Sequence, residues 1–170
     1  MCAGPARIAE FSIEKVHMRF EQAIAIHAAP ERIWRVWMEA ERWPDWTASM
    51  QQVQRLTPGR MGVGSEFRIT QPGMAPANWR VADLQEGRSF AWVSHAPAMR
   101  VYAGHAMHLP EAAAVTQLAA GGGAPTITVT LTVEFSGPLG LLVGRLFRTI
   151  TLRFMAIEAE GLKARCEAPG

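Results

Sequence analysis

The chain has 170 residues, of which 49% are hydrophobic and 19% charged, so it can form one domain with a substantial core. Its net charge of +2 is too small, and its arginines too scattered, to predict binding to nucleic acid or to a membrane surface. Cys2 and Cys166 lack CxxC spacing, so neither a zinc site nor a disulfide framework is expected. Without a signal-like N-terminus or an apolar run that could span a bilayer, we expect a single domain over residues 1–170 in a reducing cytoplasm.

The first predicted elements are a strand and two short helices. Residues 1–15 show no strong period and are expected to form a loose lead-in. From Val16 to Ala28 apolar and polar residues alternate, which predicts a strand with one buried side. Pro30 suits the first turn of a helix, and the Trp43-Pro44 pair prevents that helix from continuing. We therefore predict short helices over Pro30–Trp37 and Trp43–Met50.

Short runs bounded by Gly and Pro turns fill the middle of the chain. The predicted strands are Gln52–Leu56, Ser65–Thr70, Asn78–Glu86, Arg88–Ser94, Met99 to about Leu109 with an extension towards Leu118, and Thr126–Phe135. Gly121-Gly122-Gly123 is expected to close the hairpin before the last strand. The spacings are too short for helical crossovers between parallel strands, so the pattern predicts an antiparallel meander.

The longest helical pattern covers residues 138–165, where Ser136 can cap the first N–H groups and Pro138 fits the first turn. Its apolar stripe consists of Leu139, Leu142, Val143, Leu146, Ile150, Phe154, Ile157 and Gly161. Since no helix follows to cover this stripe, we expect it to face the sheet. The predicted fold class is α+β: a curved seven-stranded antiparallel sheet around a long C-terminal helix, with the two short helices closing one end of the space between them.

Three segments carry a resemblance to a known superfamily. They are Ile24-Ala-Ile-His-Ala-Ala-Pro-Glu-Arg-Ile-Trp34 with Glu41-Arg-Trp-Pro-Asp-Trp46, the Trp92 strand followed by the His105 strand, and Phe135-Ser-Gly-Pro-Leu-Gly leading to Glu158-Ala-Glu-Gly-Leu-Lys163. Over Val16 to Glu167 the chain resembles the START-like (SRPBCC) superfamily, in its polyketide cyclase/dehydrase-like branch, which implies the helix-grip fold. Members include lipid carriers, hormone receptors, aromatase/cyclases and coenzyme Q-binding proteins. They share a deep apolar cavity, so the resemblance implies an apolar ligand without fixing an activity.

Two side chains are candidates for polar contacts in that cavity. His105 is in phase with Val101 and Met107, so we expect it on the concave side. It is interpreted either as an acid/base or ligand anchor, or as a core histidine bonded to backbone or water. Arg153 falls within the apolar stripe of the last helix. It could bind a ligand carboxylate or a polarised carbonyl, or its stem could pack while its guanidinium reaches solvent.

Aromatic side chains on the central strands could line the cavity, although half of them could equally be plain core. Gln22 falls on the apolar face of the first strand, as a polar anchor or as a residue near an open end. The candidate ligand-binding residues are Gln22, Phe67, Trp79, Phe90, Trp92, His105, Met107, Leu146, Ile150, Arg153 and Phe154. No catalytic residue is assigned.

Two functional hypotheses lead. The first is binding of an apolar small molecule, lipid-like or polycyclic; the second is a polyketide cyclase or dehydratase in which His105 and Arg153 polarise carbonyls. A partner-binding module without catalysis is a third. An acid/base pair facing across the cavity would favour the enzyme, and a single polar group would favour the carrier. The sequence has no phosphate loop, dinucleotide fingerprint or nucleophile motif, so no cofactor is predicted.

A second apolar strip lies on the opposite face of the last helix, around Arg148. It consists of Leu141, Leu152 and Met155. An apolar strip outside the main stripe suggests a partner surface, so the sequence predicts a homodimer, with scattered exposed apolar residues as the alternative.

Overall fold

The computed structural model describes residues 17–110 and 124–169. Its elements are β1 (Met18–His27), α1 (Pro30–Met38), a 3-10 helix (Ala40–Asp45), β2 (Gln52–Arg55), β3 (Glu66–Thr70), β4 (Ala77–Gln85), β5 (Ser89–Ala96), β6 (Met99–His108), β7 (Thr126–Ser136), α2 (Gly140–Leu146) and α3 (Arg148–Glu167). The predicted lead-in over residues 1–15, the strand extension towards Leu118 and the glycine hairpin at 121–123 lie outside the described residues.

The seven described strands form one antiparallel sheet in the order β1-β7-β6-β5-β4-β3-β2. Strands β2 to β7 follow one another as a meander, and β1 joins β7 at the far side, with Ile24 opposite Val129. The alternation of β7 explains this register, because Ile127, Val129 and Leu131 are buried while the threonines between them are not. Helices α2 and α3 pack across β1 and β7, and α1 packs against α3. The predicted α+β helix-grip fold is therefore confirmed.

The second short helix differs from its prediction. A 3-10 helix over Ala40–Asp45 replaces the predicted Trp43–Met50 segment, and it begins directly after α1. The indole Nε1 of Trp43 donates a hydrogen bond to the carbonyl oxygen of Trp37 at 3.2 Å, so the fully buried Trp43 side chain ties this turn to α1. Pro44 has no N–H to donate, which suits a short turn better than the interior of an α-helix.

The predicted single helix over residues 138–165 is two helices that meet at Phe147. Helical hydrogen bonds pass through the junction, from the N–H of Phe147 to the oxygen of Val143 and from the N–H of Thr151 to the oxygen of Phe147. Phe147 itself has φ −90° and ψ 4°, outside the α-helical range, and separates the two helices. Helix α2 lies close on the sheet, because a Cβ at Gly144 would meet the side chains of Met18 and Phe135 within 3.3 Å.

The predicted apolar stripe holds only in part, since Val143, Ile150 and Phe154 are half-buried. The buried residues of α3 are Thr151, Met155, Ala159, Leu162 and Cys166. In contrast Leu139, Leu142 and Leu146 of the predicted stripe are exposed. Of the predicted dimer strip, Leu141 is exposed, whereas Met155 is buried and Leu152 packs against the core. The homodimer itself stays a prediction.

Candidate functional site

A cavity of about 340 Å³ lies between the concave face of the sheet and the two C-terminal helices. Its lining is mainly apolar and comes from every strand between β3 and β7 and from both helices. The lining residues that are also exposed are Met74 and Ala75 before β4, Ala96 at the end of β5, and Phe147 between α2 and α3. These four residues mark the mouth of the cavity.

Two polar side chains meet inside this cavity. His105 comes from β6 and Glu158 from the middle of α3, and both line the cavity wall. The Nε2 of His105 lies 2.7 Å from the Oε1 of Glu158, with side-chain exposures of 4% and 13%. A short hydrogen bond between two shielded groups from different elements fixes both side chains. We call His105 and Glu158 the dyad.

Aromatic rings hold the imidazole of His105 in place. The ring stacks on Phe90 at 4.4 Å with an interplanar angle of 6°. The edges of Trp37, Trp43 and Trp92 approach it with centroid distances of 5.8, 5.3 and 5.8 Å. This packing leaves the imidazole one orientation, with Nε2 towards α3.

The packing also selects the tautomer of His105. The Nδ1 atom is buried and has no hydrogen-bond partner among the described residues. A hydrogen on Nδ1 would therefore be a buried donor without an acceptor, which is unfavourable. The tautomer that fits carries its hydrogen on Nε2 and donates it to Glu158, so the histidine acts as a hydrogen-bond donor that positions the carboxylate.

The remaining polar lining is neutral. Gln71, Ser94, Thr132 and Thr151 contribute amide and hydroxyl groups, and the described residues that line the cavity include no Lys or Arg. The Oε2 atom of Glu158 has no hydrogen-bond partner in the described residues, whereas Oε1 is occupied by His105. The cavity is therefore apolar with one carboxylate, and that carboxylate can accept a hydrogen bond from a ligand.

Five of the predicted ligand-binding residues line the cavity. They are Trp79, Trp92, His105, Ile150 and Phe154. Phe67, Phe90 and Met107 are instead buried in the core beside it. Gln22 is in register with Leu131 but lies outside the cavity wall, where its Nε2 donates to the oxygen of Ala23.

Leu146 and Arg153 were expected to point into the cavity, and this placement is wrong. Leu146 is 78% exposed, and Arg153 is exposed on the outer side of α3. Arg153 is exposed because it lies on the side of α3 opposite Thr151 and Met155, which are buried. Leu146 belongs to α2, whose buried residues are Gly140 and Gly144. The position of Arg153 agrees with the alternative in which its guanidinium reaches solvent.

Glu158 is the site residue that sequence reasoning missed. It follows Phe154 by four residues and Ile150 by eight, which places it on the same helical face as two correctly predicted lining residues. A charged residue in phase with cavity-facing apolar residues was the available signal. The predicted stripe included Arg153 as its charged residue and did not include Glu158.

Within the described residues, no three His, Cys, Asp or Glu side chains are grouped in a way that could hold a metal ion. The dyad alone supplies two possible ligands, which is fewer than a protein metal site normally uses. Among the helices of residues 17–110 and 124–169, none combines the length and the hydropathy that crossing a membrane requires.

Comparison with known proteins gives one family match and many structural ones. A family model described as polyketide cyclase / dehydrase and lipid transport matches residues 17–167. Norcoclaurine synthase from Thalictrum flavum superposes with a TM-score of 0.67 at 12% identity, covering 92% of this chain and 97% of that one. No curated protein matches the chain.

Two further structures give similar values. The Zhui aromatase/cyclase from Streptomyces sp. R1128 has a TM-score of 0.66 at 14% identity, with 89% of this chain and 94% of that chain covered. A hypothetical protein from Helicobacter pylori has a TM-score of 0.67 at 12% identity, with 98% of each chain covered. At these identities the structural matches establish a shared fold and leave the activity open.

Proposed function

The chain belongs to the polyketide cyclase / dehydrase and lipid transport family, within the START-like superfamily that its sequence resembles, and we propose that it binds one apolar small molecule in its cavity. The ligand is lipid-like or polycyclic and carries a hydrogen-bond donor that meets Glu158. The fold of this family binds ligands, and we propose the chemical class of the ligand. A cytoplasmic location, in which Cys166 stays a free thiol, belongs to the same proposal.

The observation that carries this proposal is an apolar cavity with one shielded polar dyad. A volume of about 340 Å³ is at the lower end of the usual range for small-molecule sites. Burial of apolar ligand surface supplies the free energy of binding, and a few placed polar groups orient the ligand. Here the dyad is the group that can orient it.

The charge of the dyad also limits the ligand class. Glu158 brings negative charge into a cavity whose described lining has no Lys or Arg. A ligand carboxylate near Glu158 would meet a like charge in a shielded site, which is unfavourable. We therefore propose a ligand with a hydroxyl, phenol or amine donor rather than an acid, in contrast to the carboxylate that was one alternative for Arg153.

Competition binding tests this proposal. N-phenyl-1-naphthylamine, a neutral fluorophore, reports occupancy of the cavity, and three naphthalenes then compete for it. These are 2-naphthol, which has a donor, 2-methoxynaphthalene, which has none, and 2-naphthoate, which is an anion. A hydrogen bond to a charged group contributes about 1.5–3 kcal/mol, so we expect 2-naphthol to bind at least tenfold more tightly than its methyl ether, and 2-naphthoate most weakly.

Two variants of α3 complete the test. Glu158→Gln should reduce the preference for 2-naphthol severalfold and improve binding of 2-naphthoate, whereas Glu160→Gln should change neither, because Glu160 is exposed on the same helix. No fluorophore binding at all would refute the cavity proposal. Fluorophore binding without discrimination among the three competitors would refute the role of Glu158 alone. Native mass spectrometry of freshly purified protein would identify a ligand that co-purifies.

The dyad also favours a second candidate, an enzyme of the cyclase or dehydratase type. An acid/base pair facing across the cavity was expected to favour an enzyme over a carrier, and the bonded pair of His105 and Glu158 supports this candidate. Glu158 would act as the base, with His105 as its positioning residue rather than as the reacting group.

The balanced reaction would be dehydration of a β-hydroxy ketone. The Glu158 carboxylate removes a proton from the carbon next to the carbonyl, and the enolate then expels the β-hydroxyl, which takes that proton and leaves as water. We expect 4-hydroxy-4-phenylbutan-2-one to give the conjugated enone, followed by its ultraviolet absorbance. Glu158→Gln should lower the rate at least a hundredfold, as expected for loss of a general base, while Glu160→Gln retains it. A bound substrate with no turnover above the uncatalysed rate would refute this candidate.

A further inference from the structure

The exposed apolar residues of this protein are concentrated beside the mouth of the cavity. Nine large apolar side chains are exposed in the described residues, and five of them lie within residues 139–147. The five are Leu139, Leu141, Leu142, Leu146 and Phe147, which we call the mouth patch. Leu142 and Leu146 are 66% and 78% exposed. Such clustering marks a contact surface, whereas isolated exposed leucines would need no explanation.

The mouth patch is continuous with the inside of the cavity. Phe147 belongs to the patch and also lines the cavity, and Met74 is likewise both exposed and part of the lining. An apolar ligand that leaves between these two side chains therefore meets apolar surface immediately. This continuity relates the patch to ligand entry, and the inference rests to that extent on the proposed function.

Among the described residues, the charge around the mouth has one sign. Residues 137–157 include Arg145, Arg148 and Arg153 and no Asp or Glu. All three arginines are exposed, and none forms an ion pair with another described residue. The other segments at the mouth add no acid, because Gln71–Pro76 is uncharged and His95–Arg100 ends in an exposed arginine. The small net charge of the chain thus conceals a local positive surface.

We propose that the mouth patch docks on the surface of a bilayer that contains anionic phospholipids, so that the ligand passes between cavity and lipid without crossing water. Exposed leucines beside arginines are the composition of segments that lie in the membrane interface. Each arginine close to an anionic membrane strengthens binding about fivefold. The seven residues of α2 are too few to enter deeply, so the contact is peripheral.

A second copy of the chain fits this surface less well. A two-fold dimer places the same patch on both sides of its interface, so Arg145 and Arg148, which flank the patch, would be brought together from both copies. Like charges across an interface oppose association. We therefore favour a membrane over a second copy of the chain as the partner of this patch, and the homodimer predicted from the sequence is tested as the alternative.

Vesicle co-sedimentation tests the proposal with the full chain. The vesicles are phosphatidylcholine alone or phosphatidylcholine with phosphatidylglycerol. We expect binding to the anionic vesicles that weakens as salt is added. Leu142→Glu should lower this binding at least tenfold, while Val63→Glu should not, because Val63 has the same 66% exposure but lies in the β2–β3 connection. The double variant Arg145→Gln/Arg148→Gln should lower anionic binding about thirtyfold, from two charges at roughly fivefold each.

Three results would overturn the proposal. They are absence of binding to either vesicle, equal binding to both vesicles, and equal loss in Leu142→Glu and Val63→Glu. Light scattering without vesicles measures the oligomeric state and so tests whether a second copy of the chain covers the patch. A wild-type dimer that Leu142→Glu converts to a monomer would assign the patch to a second copy. Fluorophore binding by Leu142→Glu without vesicles keeps the two proposals separate. We expect Leu142→Glu to bind the fluorophore as tightly as the wild type does. If the wild type binds no fluorophore, ligand binding is refuted, and the vesicle experiment still decides whether the protein docks on membranes.

Discussion

Glu158 on α3 and His105 on β6 are joined by a hydrogen bond of 2.7 Å between Oε1 and Nε2. This bond spans the cavity between α3 and the sheet and connects the middle of the helix to β6. The imidazole is packed among aromatic rings, so the carboxylate is the member of the dyad that a ligand can reach. The hydrogen bond that stabilises the fold therefore also holds Oε2 in position for a ligand.

A double-mutant cycle should reveal this bond in stability. Glu158→Leu leaves the Nε2–H of His105 buried without an acceptor, which should cost about 1–3 kcal/mol. In a chain of this size each kcal/mol corresponds to roughly 2–4 °C in Tm. His105→Phe/Glu158→Leu should recover most of that loss, because both partners become apolar and Phe can keep the stack on Phe90. Chemical denaturation of the four proteins measures the coupling, and losses that simply add would contradict it.

Gly161 should tolerate no side chain. A Cβ there would overlap the carbonyl oxygen of Trp46 and lie 3.4 Å from the Cα of Thr47, so the helix could accept Gly161→Ala only by moving off the turn after the 3-10 helix. Overpacking of this kind costs about 1–3 kcal/mol and outweighs the gain of about 1 kcal/mol in helix propensity. We expect a lower Tm. Gly62→Ala is the matched control, since a Cβ at Gly62 meets nothing within 4 Å.

The strands could be predicted from the sequence because their period is unambiguous. In β7 every second residue is branched and apolar, so a shift by one residue would expose Ile127, Val129 and Leu131 together. The same logic placed His105 on the concave face. Trp79, Trp92 and His105 line the cavity, whereas Phe67 and Phe90 are core, a difference that depends on depth rather than on phase.

The last helix could not be predicted in the same detail. Its most hydrophobic residues, the leucines before Phe147, are exposed, while smaller residues such as Thr151 and Ala159 are buried. Sequence periodicity ranks faces by hydrophobicity, so the predicted stripe included the exposed leucines and Arg153 together with Ile150 and Phe154, which do line the cavity. Neither Pro nor Gly stands at Phe147 itself, and Gly144 lies three residues before it, so the sequence does not mark where α2 ends.

Cys166 should behave as an inert thiol. It is 2% exposed near the end of α3, and burial raises the pKa of its thiol to about 11, against smaller opposing effects of Arg32 and Arg165. Because the thiolate is the reactive form, alkylation in the native state should be slow at about pH 8 and fast in urea. In a Cys2→Ser background the labelling reports Cys166 alone. Rapid native labelling would contradict this prediction.

The raised pKa also has a consequence for stability. The unfolded thiol loses its proton near pH 8.5, whereas the folded thiol keeps it until about pH 11, so the folded state binds more protons in this window. The contribution of Cys166 is therefore complete below about pH 8 and declines as the pH rises. Cys166→Ala should reduce the alkaline loss of stability in urea titrations, although Tyr102, whose pKa burial also raises, should leave a remaining slope.

Glu167 should make the end of α3 sensitive to acid. Its Oε1 accepts a hydrogen bond from the backbone N–H of His27 at 2.8 Å and lies 3.1 Å from the Nζ of Lys163. The hydrogen bond from His27, followed by that from Lys163, lowers the pKa of the Glu167 carboxyl. Since the folded state holds the carboxylate more strongly than the unfolded chain does, its contribution is present above about pH 4.3 and is lost as the pH falls through the lowered value.

Hydrogen exchange at the amide of His27 measures this contact directly. In the wild type we expect protection at about pH 6 that declines below about pH 4, as the carboxylate gains its proton. Glu167→Gln should lower the protection at the higher pH and remove most of the acid-dependent change, because an amide keeps an acceptor oxygen but loses the charge. Glu160→Gln, exposed on the same helix, should leave both unchanged. Protection that is equal in Glu167→Gln and wild type across this range would show that Glu167 does not fasten the helix end to β1.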